Sequence, residues 1–185
     1  MAWTIDPAHS QVQFTVRHMM ISNVRGRFEE VEGTVEFDES NPESLEIDIK
    51  IAAASINTRD EQRDGHLRSA DFLDADNFPF LTFRSTKVRS LGGNELEVDG
   101  DLTIRGVARP VTLKVEYAGT MTSPWGTTSA GFSAHTKVNR KDFGLVWNQA
   151  LEAGGLLVGE DVKIEIEIEL IKQNVAAPSE AETTA

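Results

Sequence analysis

Val162-Lys163-Ile164-Glu165-Ile166-Glu167-Ile168-Glu169-Leu170 is the stretch on which the fold turns. Its apolar residues fall at every second position with charges between them. A repeat of two belongs to an extended chain with one dry and one wet face, because successive side chains of a strand point to opposite sides. A helix would need its apolar residues near every third or fourth position, and the glutamates would then fall inside that stripe.

Reading outward from this strand, the same alternation recurs at Val12/Phe14/Val16, Val31/Val35/Phe37, Leu45/Ile47/Ile49/Ile51 and Val111/Leu113/Val115/Tyr117. Shorter stretches are Leu81/Phe83, Leu96/Val98, Leu102/Ile104 and Ala130/Phe132/Ala134. Turn chemistry separates them: Asp38-Glu39-Ser40-Asn41-Pro42, Gly92-Gly93-Asn94, Ser123-Pro124-Trp125-Gly126 and Gly154-Gly155. Only residues 59–73, RDEQRDGHLRSADFL, break the rhythm. They are polar and do not alternate, and Gly65 weakens one continuous helix, so they read as one or two short helical turns over a barrel end. Eight or more amphipathic strands with one helical insert predict an all-β fold, a sandwich or a closed antiparallel barrel. Closure has the advantage that it leaves no unpaired edge. The interior of an eight-stranded barrel is either filled by side chains or holds one small ligand, and alternation alone does not distinguish the two.

The chain has 185 residues, 39% of them hydrophobic, enough for one buried core. Residues 1–173 read as that domain. Residues 174–185, rich in Ala, Pro, Ser, Glu and Thr, read as a disordered acidic tail. A net charge of −12 repels phosphate backbones and anionic lipid surfaces, which argues against nucleic acid and against binding to such surfaces. The absence of cysteine excludes disulfides, thiolate catalysis and thiolate metal sites. Met1-Ala2 runs into Trp3-Thr4-Ile5-Asp6 without a basic region or an apolar stretch of leader length, so the sequence as written reads as cytoplasmic. No run approaches the roughly 20 apolar residues of a membrane-spanning helix, and stable membrane insertion is not expected.

Little here demands covalent chemistry. His9, His18, His66 and His135 form no HxH or HExxH pair and read as strand caps or partners of carboxylates; no metal is expected. Ser10 beside His9 and near Asp6 has the residue types of a hydrolytic triad, but strand neighbours point to opposite faces. Paired carboxylates can hydrolyse glycosides, yet Glu165, Glu167 and Glu169 occupy the wet phase of a strand. Arg63-Asp64 and Arg140 with Asp142 read as Arg–carboxylate bridges pinning loops to a barrel rim. A mouth lined by Arg and His would equally suit the polar end of an amphiphile.

Several ordered motifs resemble the YceI-like, lipocalin-like lipid-binding family. They are Trp3-Thr4-Ile5-Asp6-Pro7-Ala8-His9-Ser10; Val16-Arg17-His18 followed by Gly26-Arg27-Phe28 and Gly33; Arg63-Asp64-Gly65-His66-Leu67 with Ser69, Asp71-Phe72-Leu73-Asp74 and Phe78-Pro79 through Phe83; Gly100 to Gly106 with Pro110-Val111; and Asn139-Arg140-Lys141-Asp142-Phe143-Gly144. The resemblance implies an extended eight-stranded antiparallel barrel whose interior takes an isoprenoid chain, such as a polyprenyl phosphate or a polyprenyl quinone precursor. It also implies that members are often homodimers and that many relatives are exported to the periplasm. No cofactor is required on this reading beyond the bound lipid, and no catalysis. The expected interior positions are Phe14, Val16, Phe37, Ile49, Phe72, Phe83, Leu102, Ile104, Leu113, Phe132, Phe143, Trp147 and Ile166, each of which ordinary core would also explain. His18, Arg63 and His66 are expected at the rim, against a head group. The alternatives are an enzyme modifying a bound prenyl lipid and a solid-core barrel acting through its surface.

Overall fold

The computed structural model describes residues 2–172, and the tail expected at 174–185 lies outside the described residues. Eleven strand segments follow in order: β1 (Ala2–Ile5), β2 (Gln11–His18), β3 (Ser22–Phe28), β4 (Val31–Asp38), β5 (Asn41–Ala52), β6 (Ile56–Asn57), β7 (Phe80–Gly92), β8 (Glu95–Ile104), β9 (Val107–Thr122), β10 (Thr128–Asn139) and β11 (Val158–Lys172). One helix, α1 (Glu61–Arg68), lies between β6 and β7.

Three pairs of segments are single staves with an interruption. β1 and β2 both pair antiparallel with β11, Ile5 opposite Leu170 and Val12 opposite Ile166, so residues 6–10 bulge out of one stave. β4 and β3 line up in the same way on β1 and β2, and β5 and β6 on β4 and β3. The eleven segments therefore form an eight-stranded antiparallel meander whose first stave meets its last, a closed barrel. Closure satisfies the edges that an open sheet would expose. Pro110, which cannot donate to a ladder, lies on β9 opposite Asp101 of β8 and beyond the part of β9 that β10 pairs.

The deciding stretch forms most of β11. Lys163, Glu165 and Glu167 face solvent, while the alternate isoleucines turn inward. A charged exterior over an apolar interior is the inverse of a lipid-spanning barrel. Among the described residues no helix is long and apolar enough to cross a membrane.

Two local expectations change. Leu96/Val98 and Leu102/Ile104 belong to one strand, β8, because Gly100 keeps the phase between them. The insert contains one eight-residue helix that runs through exposed Gly65. Asp60 caps it, accepting the Arg63 backbone N–H at 3.1 Å, and Glu61 and Asp64 face the positive end of the helix dipole. Phe72 and Leu73, just after the helix, are buried beneath it.

Candidate functional site

The inward faces of the staves do not meet. They enclose a cavity of about 790 Å³ whose wall runs from Val12 and Phe14 through Ile49, Phe83, Leu102 and Leu113 to Ile164, Ile166 and Ile168. This lies within the range of small-molecule pockets, roughly 300–1,000 Å³, and the solid-core alternative does not hold.

The two ends differ. At one, an aromatic cluster closes the barrel. Trp3 stacks on Phe37 at 5.0 Å, and Phe37 meets the edges of Tyr117 and Phe132 at 5.7 and 5.2 Å. At the other, where β2 ends, β11 begins and α1 crosses, the wall turns polar with Arg17, His18, Asp60, Gln62, Arg63, His66 and Arg140. The cavity is thus a hydrocarbon sleeve with one polar rim.

Thr58 organises the helix side of that rim. Its hydroxyl donates to buried Asp64 at 2.5 Å and accepts from Arg63 Nε at 2.8 Å, while its carbonyl accepts from Arg63 Nη2 at 2.8 Å. The expected Arg63–Asp64 bridge therefore runs through a threonine, because Asp64 is buried against Thr58 and already takes its backbone N–H at 2.8 Å. His66 Nε2 lies 2.9 Å from Asp71 Oδ2, with its ring edge-on to Phe72 and Trp147 at 5.1 and 4.6 Å. His18, at the end of β2, is half-buried on the same rim.

Arg140 corrects another expectation. It makes no bridge to Asp142; it is 4% exposed and donates to four carbonyls, those of Gly159, Leu145, Trp147 and Val158, at 2.8, 2.7, 2.8 and 3.3 Å. Burial pushes its guanidinium pKa down, with Glu160 opposing. The effect is to tie the long 144–157 loop onto the mouth.

Of the expected interior residues, Phe14, Val16, Ile49, Phe72, Phe83, Leu102, Ile104, Leu113, Phe132, Trp147 and Ile166 line the cavity, and His18, Arg63 and His66 line its rim. Phe37 and Phe143 do not. Phe37 lies near the end of β4 and is used up in the aromatic closure. Phe143, 1% exposed, sits on the 3₁₀ turn Arg140–Phe143, packed on β9, β10 and β11 from outside the lumen. Many further wall residues were missed, among them Val12, Ile47, Ile164 and Ile168, which share the phase of named neighbours, and Gln62, which carries no sequence signal.

Outside the barrel, the 6–10 bulge holds His9 Nδ1 at 2.7 Å from Asp6 Oδ2 and 3.9 Å from Glu169 Oε2. Asp6 raises the His9 pKa, and the same hydrogen bond lowers that of Asp6. Ser10 turns away to the backbone of Glu169, so no triad forms.

The YceI-like domain model matches residues 3–170. The chain is 39% identical to a UPF0312 protein of Staphylococcus aureus (strain N315) over 168 residues, 90% of this chain and 95% of the relative. Among solved structures it resembles Burkholderia cenocepacia BcnA, with a TM-score of 0.78 and 25% identity over 91% of this chain and 99% of the other. The Campylobacter jejuni YCEI protein aligns with a TM-score of 0.74 and 30% identity over 85% and 90%. A polyisoprenoid binding domain from Saccharophagus degradans shares the fold, with a TM-score of 0.64 and 16% identity over 92% and 98%. From residue 3 to residue 170, with its fold and its motifs in order, this chain belongs to the YceI-like family.

Proposed function

We propose that this protein binds an isoprenoid lipid without altering it, the hydrocarbon in the barrel and the polar head at the rim. The observation that carries the reading is the 790 Å³ sleeve of Val, Ile, Leu and Phe with polar groups at one end only, the polarity of an amphiphile in negative. The fold shared with a polyisoprenoid binding domain supports the same ligand class. Each Å² of hydrocarbon moved from water to such a wall gains roughly 25 cal/mol, so a branched chain binds through shape and dryness. At the rim, Arg63 presents a guanidinium fixed by Thr58, and His18 lines the same rim from the end of β2. Both donate well to a phosphate or a quinone-type oxygen.

Native mass spectrometry of the purified protein, followed by organic extraction, tests this. The expected result is one isoprenoid per chain, recovered chemically unchanged. A clean protein mass that incubation with polyprenyl phosphates and prenylated quinone precursors leaves unaltered overturns it. Recovery of a covalently altered lipid, with turnover lost on replacing His18, Arg63 or His66, would instead make the protein an enzyme.

A further inference from the structure

Beside the polar rim the surface changes character again. The β2–β3 turn carries Met19, Met20 and Ile21 at 44%, 59% and 78% exposure, and Val146 and Leu156 on the adjoining loop are exposed at 62% and 42%. The two parts are joined, since Met19 N–H donates to the Leu157 carbonyl at 2.7 Å and the Met20 thioether lies over Gly155. The turn is also conformationally costly. Met19 and Met20 have φ of 51° and 63°, a left-handed pair for which hairpins ordinarily use Asn-Gly. The chain thus holds long apolar side chains in water on a backbone unsuited to them, at the mouth of a hydrophobic cavity.

Exposed charges surround both ends of the barrel, and the basic groups nearest the collar are unpaired. Around the closed end the hairpins carry Asp38, Glu39, Glu43, Glu95 and Glu116, all exposed. Around the mouth stand exposed Arg17, Arg25 and Arg59, none of them in an ion pair among the described residues. Of the acids around the mouth, Asp71 and Glu160 are paired with His66 and Lys141 and Asp64 is taken up by Thr58, while Glu61 and Glu152 stand exposed without an ion pair among the described residues. Arg17, Arg25 and Arg59 therefore give the collar a local basic fringe on a chain whose net charge is −12.

We infer that the collar of Met19, Met20, Ile21, Val146 and Leu156 is a docking surface for a lipid bilayer, entered mouth first. Its apolar tip sits among the acyl chains at the interface, and Arg17, Arg25 and Arg59 lie at headgroup level. This deepens the lipid-binding reading, on which it rests for its purpose: an isoprenoid then passes between bilayer and barrel without crossing water.

Flotation with vesicles of phosphatidylcholine and phosphatidylglycerol tests it. The wild-type chain is expected to float. The variant Met19→Asn/Met20→Gly/Ile21→Ser removes the apolar tip and supplies the residues the turn prefers. It is expected to keep its thermal midpoint and to bind vesicles about tenfold more weakly. Trp125→Ser, which removes a side chain 89% exposed at the acidic end, is expected to leave flotation unchanged. A wild-type chain that does not float, a collar variant that floats as well as wild type, or a loss that follows Trp125 instead overturns the proposal. So does a collar-dependent homodimer in sedimentation without vesicle binding, since the collar would then cover a second copy. Binding of a short, soluble prenyl phosphate without vesicles separates this from the lipid-binding reading. The collar variant should retain it, and its absence in a wild-type chain that still floats would remove the ligand and leave the docking surface standing.

Discussion

Arg140 shows how far one side chain can be misread when its partner is sought only among nearby residues. Its neighbour Asp142 is exposed, and its actual acceptors are four carbonyls, two in the following loop and two on the adjacent stave β11. Arg140→Met removes every donor to those carbonyls, so a loss of about 3 kcal/mol is expected in urea unfolding, together with proteolytic opening of the 144–157 loop. Arg140→Lys should fare little better, since an ammonium cannot span the same four positions. His9 and Asp6 make a second residue-scale prediction. The raised His9 pKa gives a stabilisation that is complete below the ordinary imidazole value and fades as pH rises through the raised one. The lowered Asp6 pKa gives one that is complete above the ordinary carboxylate value and fades as pH falls through the lowered one. Both act together between about pH 4 and 6.5. An NMR titration should place the His9 midpoint above that of a free imidazole, and Asp6→Asn should move it down.

At the scale of elements, glycines on the inner face mark where aromatic rings lie flat on the sheet. A Cβ at Gly100 would meet Phe83 Cζ at 2.4 Å and the Arg84 carbonyl at 2.6 Å, so β7 itself would have to move. A Cβ at Gly26 would meet only side chains, Phe14 Cζ at 2.4 Å and Thr58 Cγ2 at 2.8 Å, and the cavity gives Phe14 room to turn. Gly100→Ala is therefore expected to cost about 2 kcal/mol in thermal unfolding and Gly26→Ala distinctly less, while Gly26→Ala shrinks the lumen. Elements were legible where one rule governed them. The phase of β2, β5, β9 and β11 follows from alternation, and the place of α1 from a polar stretch that does not alternate. Phe37 and Phe143 are buried but off the lumen wall, Phe37 because alternation says that a residue points inward and nothing of how far along the barrel the lumen extends, and Phe143 because it sits on a 3₁₀ turn rather than a strand.

For the whole molecule the decisive quantity is the empty volume. Ala134 lines the cavity from β10, between Ile166 on one side and Val115 on the other. Ala134→Trp should fill the sleeve and abolish uptake of long isoprenoids, measured by native mass spectrometry, with circular dichroism and the dispersion of the NMR spectrum unchanged. Undiminished uptake would place the ligand elsewhere. The inside and the outside of nearly every stave, the helical insert and the all-β class could be read from the sequence, because alternation is a property of each strand alone; closure into a barrel rather than a sandwich was implied only by the family resemblance. Whether that inside is solid or hollow, which end is stoppered by Trp3, Phe37, Tyr117 and Phe132, and which end bears the Arg and His rim were decided only by the tertiary structure. Lumen volume is the difference between barrel radius and side-chain volume, and it depends on the tilt and stagger of all eight staves at once, which no single segment encodes.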